Sequence, residues 1–360
     1  MKKILIVVLL LALLADVDIA CSQKSNVPKK PKNVVLLIGD GMGLGSIYSL
    51  IAVRDNTAFE QFKHIGFSKT QSADNFITDS GAGGSALSTG KRIKNKQIAI
   101  DPVTKEPLET LVELSNKNGL KTGVVSACAI THATPASFLS HSDSRYKQEE
   151  IALNMLPTNP TLFIGGGRDY FEKREDGLNL SDSLRTRGFQ VVYTMDELLN
   201  VKTEKVAGLL YDDNPKSMLN GRGDFLPVSS EKALELLSQN NDKGFFLMIE
   251  GSQIDFESHD NNYLGMIAEM DDFNATLNKV LDFARKDGNT LVVVTADHET
   301  GGLTPLDSSS VSTRNARYNT FGHTPVMVPV FAFGPNSETF CGIYNNNTVF
   351  DKIVAFLFGR

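Results

Sequence analysis

Phe246-Leu-Met-Ile-Glu-Gly-Ser-Gln-Ile-Asp-Phe-Glu-Ser-His259 is an apolar run that gives way to Glu250, Asp255 and His259. Residues 245–249 have the unbroken apolar character of a strand buried on both faces, the habit of parallel sheets in α/β proteins. In open sheets of that kind, ligands bind beyond the carboxyl ends of the strands. The three polar side chains stand where that geometry puts ligands. Acidic residues and histidines also follow strands as solvated loop residues and helix caps, so the reading turns on whether other strands deliver partners.

They do. The apolar stretch 33–38 ends at Asp40, and 291–294 runs into Asp297-His298; Gly322-His-Thr324 adds His323. Carboxylates gathered at neighbouring strand ends repel one another and raise their own pKa values unless cations neutralise them. The set Asp40, Glu250, Asp255, His259, Asp297, His298 and His323 therefore predicts bound metal, and its imidazoles favour zinc at two positions. The Gly-rich turn Gly39-Asp-Gly-Met-Gly-Leu-Gly45 lacks the G-x-G-x-x-G spacing of a dinucleotide loop.

A nucleophile is offered by Thr78-Asp-Ser-Gly-Ala-Gly-Gly-Ser85. Ser80 stands at an expected helix start, where backbone amides favour an anion, and the small residues after it leave room for a substrate to approach the backbone. No histidine lies beside it in sequence to act as base, but coordination to a divalent metal can lower a hydroxyl's pKa. The plainer role for Asp79 or Ser80 is capping that helix.

Further strands are expected at 122–126, 161–164, 189–193, 208–211, 290–295 and 327–333, with helices at 108–118, 148–155, 181–186, 229–238, 265–286 and 348–358. Alternating strands and helices imply an α/β fold: a three-layer α/β/α sandwich with a central, mostly parallel sheet. The polar, Ser-rich stretch 307–319 reads as a surface loop or a small insertion near the active site. The helix 265–286 places Ile267, Met270, Phe273, Leu277, Val280, Leu281 and Ala284 on one face, a core stripe.

With 360 residues and 41% hydrophobic content, one large domain with insertions is expected. A net charge of −6, with no basic block past the N-terminus, argues against nucleic acid as a partner. Lys2-Lys3 precedes an apolar run too short to span a bilayer, which reads as a signal peptide over 1–20. Cys21 is then either a lipid-modified N-terminal residue, a membrane anchor, or simply near a cleavage point; Asp18, three residues before it, departs from the usual apolar residue of lipidation sites. Residues 21–32 read as a tether and 33–360 as the catalytic domain. Export puts Cys128 and Cys341 in an oxidising compartment, where they either pair or stay free, and the apolar surroundings of Cys128 favour burial.

The ordered motifs Asp-Gly-Met-Gly (40–43), Thr-Asp-Ser (78–80), Ala-Thr-Pro-Ala (133–136), Glu-Gly-Ser-Gln-Ile-Asp (250–255) and Thr-Ala-Asp-His-Glu (295–299) resemble those of the alkaline phosphatases, from residue 33 to the C-terminus. The resemblance implies a periplasmic phosphate monoesterase, commonly a homodimer, working through a phosphorylated Ser80 with two Zn2+ and one Mg2+. It implies that Asp255, His259 and His323 hold one zinc, and that Asp40, Asp297 and His298 hold the other. Asp40 bridges to a magnesium completed by Thr134 and Glu250, and Arg145 forks onto two phosphate oxygens. Asp79 is expected to orient the loop or Arg145. Taken alone, Thr134 before Pro135 reads as a helix cap; His141 and His64 read as structural.

Two positions near the site set this chain apart. His132 stands where family members carry Asp or His, and Phe256 where Lys, His or Trp is common. An imidazole at 132 bears on the third metal, and Phe256 cannot reach phosphate through water. The alternatives are a phosphodiesterase or sulfatase of the same superfamily, or an inactive metal-binding surface lipoprotein.

Overall fold

The computed structural model describes residues 33–307 and 315–359. The expected signal peptide, Cys21, the tether and most of the Ser-rich stretch lie outside the described residues. No helix among those described is long and apolar enough to cross a membrane.

The run Phe245–Gly251 is strand β7, every residue of it buried. Its side chains alternate between two cores, as a strand's two-residue period dictates. Phe245, Leu247 and Ile249 join one core, with Val35, Leu37, Val292 and Val294 from the adjacent strands. Phe246 and Met248 join the other, with Val34, Leu36, Leu291 and Val293. The first core is closed by Met270, Phe273, Leu277 and Leu281 of the helix Tyr263–Asp287, the second by Leu87, Phe138, Ile353 and Leu357. Burial on both faces explains why no polar alternation marks these strands.

The remaining strands of the main sheet are β1 (Asn33–Gly39), β2 (His64–Lys69), β3 (Lys121–Ala129), β4 (Leu162–Gly166), β5 (Gln190–Val192), β6 (Val206–Leu209), β8 (Thr290–Thr295), β13 (Val328–Phe333) and β14 (Gly342–Asn345). Their order is β14-β2-β13-β8-β1-β7-β3-β4-β6-β5. Pairing is parallel except where β13 meets β8 and β2. Two short antiparallel pairs form separate sheets: β9 (Glu299–Thr300) with β12 (His323–Thr324), and β10 (Thr304–Leu306) with β11 (Asn315–Arg317). The α/β fold with a mostly parallel sheet covered on both faces is as expected.

Several boundaries differ. The helix expected at 229–238 begins a turn earlier, at Phe225–Ser238, because Pro227 fits a first turn whose amides lack intrahelical partners. Strand β2 escaped the sequence reading because its burial alternates and it carries His64, Ser68 and Lys69 rather than an apolar run. His64 is tied there, Nδ1 to Ser337 Oγ at 2.8 Å. His141 is likewise structural, bridging the Ala99 carbonyl at 2.8 Å and Glu113 at 3.1 Å. The two cysteines are unpaired, Cys128 buried and Cys341 exposed.

The register of the central strands brings the chemistry together. Ile38 of β1 pairs with Glu250 on one side and Thr295 on the other, while Ser126 of β3 pairs with Glu250. Because these strands are parallel, the segments leaving them all emerge at one edge of the sheet, and Asp40, Glu250, Asp297 and the β3 exit at His132 to Thr134 meet there.

Candidate metal centre

At the β1 exit the chain turns sharply at Gly41 (φ +69°), whose amide donates to Asp297 Oδ1 at 3.2 Å. A Cβ on Gly41 would lie 2.7 Å from both Asp255 Oδ1 and Thr300 Oγ1, so this position needs glycine for backbone conformation and for space. The turn leaves Asp40 fully buried with its Oδ1 lacking any hydrogen-bond partner. Asp297 Oδ2 and Glu250 Oε1 are also buried and unpartnered.

Two groups of potential ligands share one imidazole. Asp40, Asp297 and His298 offer atoms within 4.8 Å of one another, and so do Asp255, His298 and His323. His298 Nε2 lies 3.2 Å from Asp297 Oδ2 and 3.5 Å from Asp40 Oδ1, and its ring stacks on that of His323 at 3.5 Å. His259, one turn after Asp255 on the helix Gln253–His259, faces the same place. Its Nε2 is 3.4 Å from Asp255 Oδ2 and 3.0 Å from His323 Nε2. Ligand atoms of a tetrahedral zinc site stand about 3.3 Å apart, given metal–ligand bonds of about 2.0–2.1 Å. The second ring nitrogens of both histidines are held by backbone carbonyls, His323 Nδ1 by Thr78 at 2.9 Å and His259 Nδ1 by Phe321 at 2.5 Å, as is usual for metal-binding imidazoles.

The electrostatics are those of a site built for cations. Burial, reinforced by repulsion from Asp297, Asp255 and Glu250, pushes Asp40 well above the usual carboxylate range. Burial raises Glu250 to about 8, and burial with the Asp255 charge raises Asp297 to about 7. Asp255 is held low: burial opposes its charge, but the hydrogen bond from His259 and the neighbouring imidazoles outweigh it. The hydrogen bond to Asp255 lifts His259 to about 9, whereas burial and the neighbouring His323 depress His298. Three buried carboxylates with orphaned oxygens fit divalent ions, which would neutralise them and take those lone pairs.

Ser80 opens the helix Ser80–Thr89 and is 1% exposed; its Oγ lies 3.2 Å from His298 Nε2. Asp79 is the cap, accepting from the Ala82 amide at 3.0 Å with one oxygen, while the other takes Arg145 Nη1 and the Lys96 amide, each at 3.0 Å. The residues after Ser80 are small for a reason other than the expected one. A Cβ on Gly83 would come 2.8 Å from the Asp297 carbonyl oxygen, so glycine admits the protein's own backbone there rather than a substrate.

Thr134 is not the cap that the Thr-Pro pair suggests. The helix Ala133–Leu139 is preceded by His132 as cap residue, which leaves Thr134 Oγ1 free to donate to Asp40 Oδ2 at 3.2 Å. His132 is half-buried, and its ring meets Phe256 edge-on at 5.4 Å, so the two unusual positions touch. Burial and then the Arg145 charge push His132 down to about 3, and the imidazole is therefore neutral.

Two residues escaped the sequence reading. Thr300 Oγ1 donates to Asp255 Oδ1 and lies 3.2 Å from His298 Nδ1, joining the two ligand groups. Strand periodicity could have found it, since residues two apart on extended chain share a side. Cys128 forms a third cluster with His132 and Glu250; nothing in its apolar sequence neighbourhood signals that.

A profile of the alkaline phosphatase family matches residues 31–319. Alkaline phosphatase 3 of Bacillus subtilis is 32% identical over 88% of this chain and 87% of its own length. The alkaline phosphatase of Escherichia coli is 28% identical over 94% of this chain and 89% of its own. Among solved structures, alkaline phosphatase from the Antarctic bacterium TAB5 superposes with a TM-score of 0.87 at 40% identity, covering 91% of this chain and 99% of that one.

Proposed function

The chain belongs to the alkaline phosphatase family, and from that membership we propose that it is an exported phosphate monoesterase acting through a phosphoserine at Ser80, residues 33–360 forming its catalytic unit. The observation that carries this reading is the buried Ser80 hydroxyl 3.2 Å from His298, the imidazole common to both ligand groups. Asp255, His259 and His323 would hold one zinc; Asp40, Asp297 and His298 would hold the other. The oxygen-rich set of Asp40, Thr134 and Glu250 suits magnesium. Bound there, the ions would supply positive charge to the attacking and leaving oxygens and lower the pKa of the Ser80 hydroxyl and of the hydrolytic water.

The chain's own groups perform the rest. Ser80 Oγ gives up its proton to solvent and attacks phosphorus in line with the ester oxygen, which leaves as the Oγ–phosphorus bond forms and is protonated by water to the alcohol. Water then attacks phosphorus in turn, inorganic phosphate leaves as the Oγ–phosphorus bond breaks, and Ser80 regains its proton. Arg145, most of it buried and anchored by Asp79, presents its remaining donors as a fork to two phosphoryl oxygens. Asp79 thus positions Arg145 and caps the Ser80 helix together. The signal-like N-terminus supports export, and a homodimer is in keeping with the family.

Hydrolysis of a phosphate monoester beside the matching diester and sulfate ester, with zinc and magnesium supplied, tests the reading. The monoester is expected to turn over at least about 10²-fold faster; preference for the diester or sulfate would transfer the chain to the neighbouring chemistry, and no turnover would make it an inert metal binder.

The Phe256–His132 contact yields a second expectation. An apolar ring beside a neutral imidazole offers phosphate no cation there, so Phe256→Lys should lower the inhibition constant of inorganic phosphate by about threefold or more, as a water-bridged ammonium contact would. An unchanged constant would remove Phe256 from any part in phosphate affinity.

A further inference from the structure

The thiol of Cys128 is spent on a carboxylate rather than on a core. It lies on the last residues of β3, is fully buried, and sits 3.4 Å from Glu250 Oε2, with the Ala129 carbonyl at 3.3 Å and Ser126 Oγ at 3.8 Å. A free cysteine is commonly just a small buried hydrophobe, and such a residue would be met by apolar atoms. Here the neighbours include Glu250 Oε1 and His132 Nδ1, both buried and both without a hydrogen-bond partner. The Cys128 sulfur, a His132 nitrogen and a Glu250 oxygen fall within 4.8 Å of one another, on β3, at the cap of the following helix, and on β7.

We propose that Cys128, His132 and Glu250 form a further cation position, on the Cys128 side of Glu250, that takes a thiophilic divalent ion of the zinc class in preference to magnesium. It rests on the reading of Glu250 as a metal ligand and extends it. One thiolate, one imidazole and one carboxylate make a borderline-soft donor set, which suits Zn2+ or Co2+ and is poor for Mg2+, an ion that prefers oxygen and holds its water. Metal–sulfur bonds of about 2.3 Å and metal–nitrogen bonds of about 2.0–2.1 Å set ligand atoms about 3.3–3.7 Å apart, so the three atoms, now within 4.8 Å of one another, would close in on a bound ion. Binding converts the Cys128 thiol to a thiolate bonded to the ion, and its proton leaves to solvent. Glu250 also neighbours Asp40, so its carboxylate would serve both positions, Oε2 on the Cys128 side and the other oxygen toward the Asp40 and Thr134 set.

The test is cobalt titration of the full chain after chelation. At saturation, thiolate-to-cobalt charge transfer should absorb in the near ultraviolet, and metal analysis should count one more ion in the wild type than in Cys128→Ser. The band should be absent from Cys128→Ser, present in Cys341→Ser, and retained under excess Mg2+. His132→Ala, at a half-buried position, should raise the Co2+ concentration for half-maximal absorbance by about tenfold or more, which keeps the proposal testable if Cys128→Ser fails to fold. No band at saturation, a band that survives Cys128→Ser, or one abolished by Mg2+ overturns it. Monoester hydrolysis on the same samples separates the two readings: turnover without the band removes this site alone, and the band without turnover removes the phosphatase mechanism alone.

Discussion

Replacing Ser80 with Ala is expected to lower kcat for phosphate monoesters by roughly 10³-fold or more, because the proposed covalent route would lose its nucleophile while water attacking directly would remain. The substitution is a clean one for this structure. Ser80 is the first residue of its helix, 1% exposed, and the cap that holds the helix start belongs to Asp79, so alanine removes one oxygen and leaves the packing intact. Arg145 keeps its anchor on Asp79 at 3.0 Å. Affinity for inorganic phosphate should therefore change by no more than a few fold, and the melting temperature little. Acid quenching during turnover of labelled substrate should leave label on the wild type and none on the variant. Equal kcat in the two proteins would discard Ser80 as the nucleophile.

Stripping the metals is expected to destabilise the protein, and more so at pH 9 than at pH 6. In the metal-free fold Asp297 titrates near 7 and Glu250 near 8, against ordinary values of 3.8 and 4.5, and Asp40 is raised as well. A carboxyl whose folded pKa is raised contributes stability that is fully present below its unfolded pKa and is lost as pH rises through the folded value. The loss runs from about pH 4 to beyond pH 8. His259, raised to about 9 by Asp255, loses its contribution over the upper part of the same range. Asp255 is depressed, so its contribution stands above its ordinary pKa and does not vary between pH 6 and 9. Bound ions reverse the trend, since they need the deprotonated ligands, and a ligand at a thousand times its dissociation constant adds about 4 kcal/mol. Chelation at pH 9 should lower the melting temperature by about 5 °C or more, abolish hydrolysis, and be reversed by zinc with magnesium. A shift at pH 9 no larger than that at pH 6 would mean that the carboxylates are not the metal-coupled groups. Asp297→Asn sharpens the point: it should stabilise the chelated protein at pH 9 and destabilise the metal-loaded one.

Much of the centre was legible because parallel strands impose a simple rule. A strand buried on both faces must be apolar throughout, and the next polar residues must lie at the sheet edge, so β1, β7 and β8 announced Asp40, Glu250 and Asp297 by their endings. β2 was not legible, because an alternating strand with a histidine and a lysine looks like loop. Thr134 was readable only through the motif around it; alone it looks like a cap, and its turn toward Asp40 depends on His132 taking the cap position.

The opening run Phe245 to His259 shows where each kind of information stops. Sequence by itself determined that the run is a doubly buried strand followed by metal-type donors, since hydrophobic periodicity and residue chemistry are local properties of the chain. Only the tertiary structure decided that Glu250 neighbours both Asp40 and Cys128, that His298 serves both ligand groups, and that Phe256 packs on His132. Those contacts join residues more than a hundred positions apart or from separate strands, and the register of parallel pairing that sets them is fixed by the packing of two cores, which no single stretch of sequence carries.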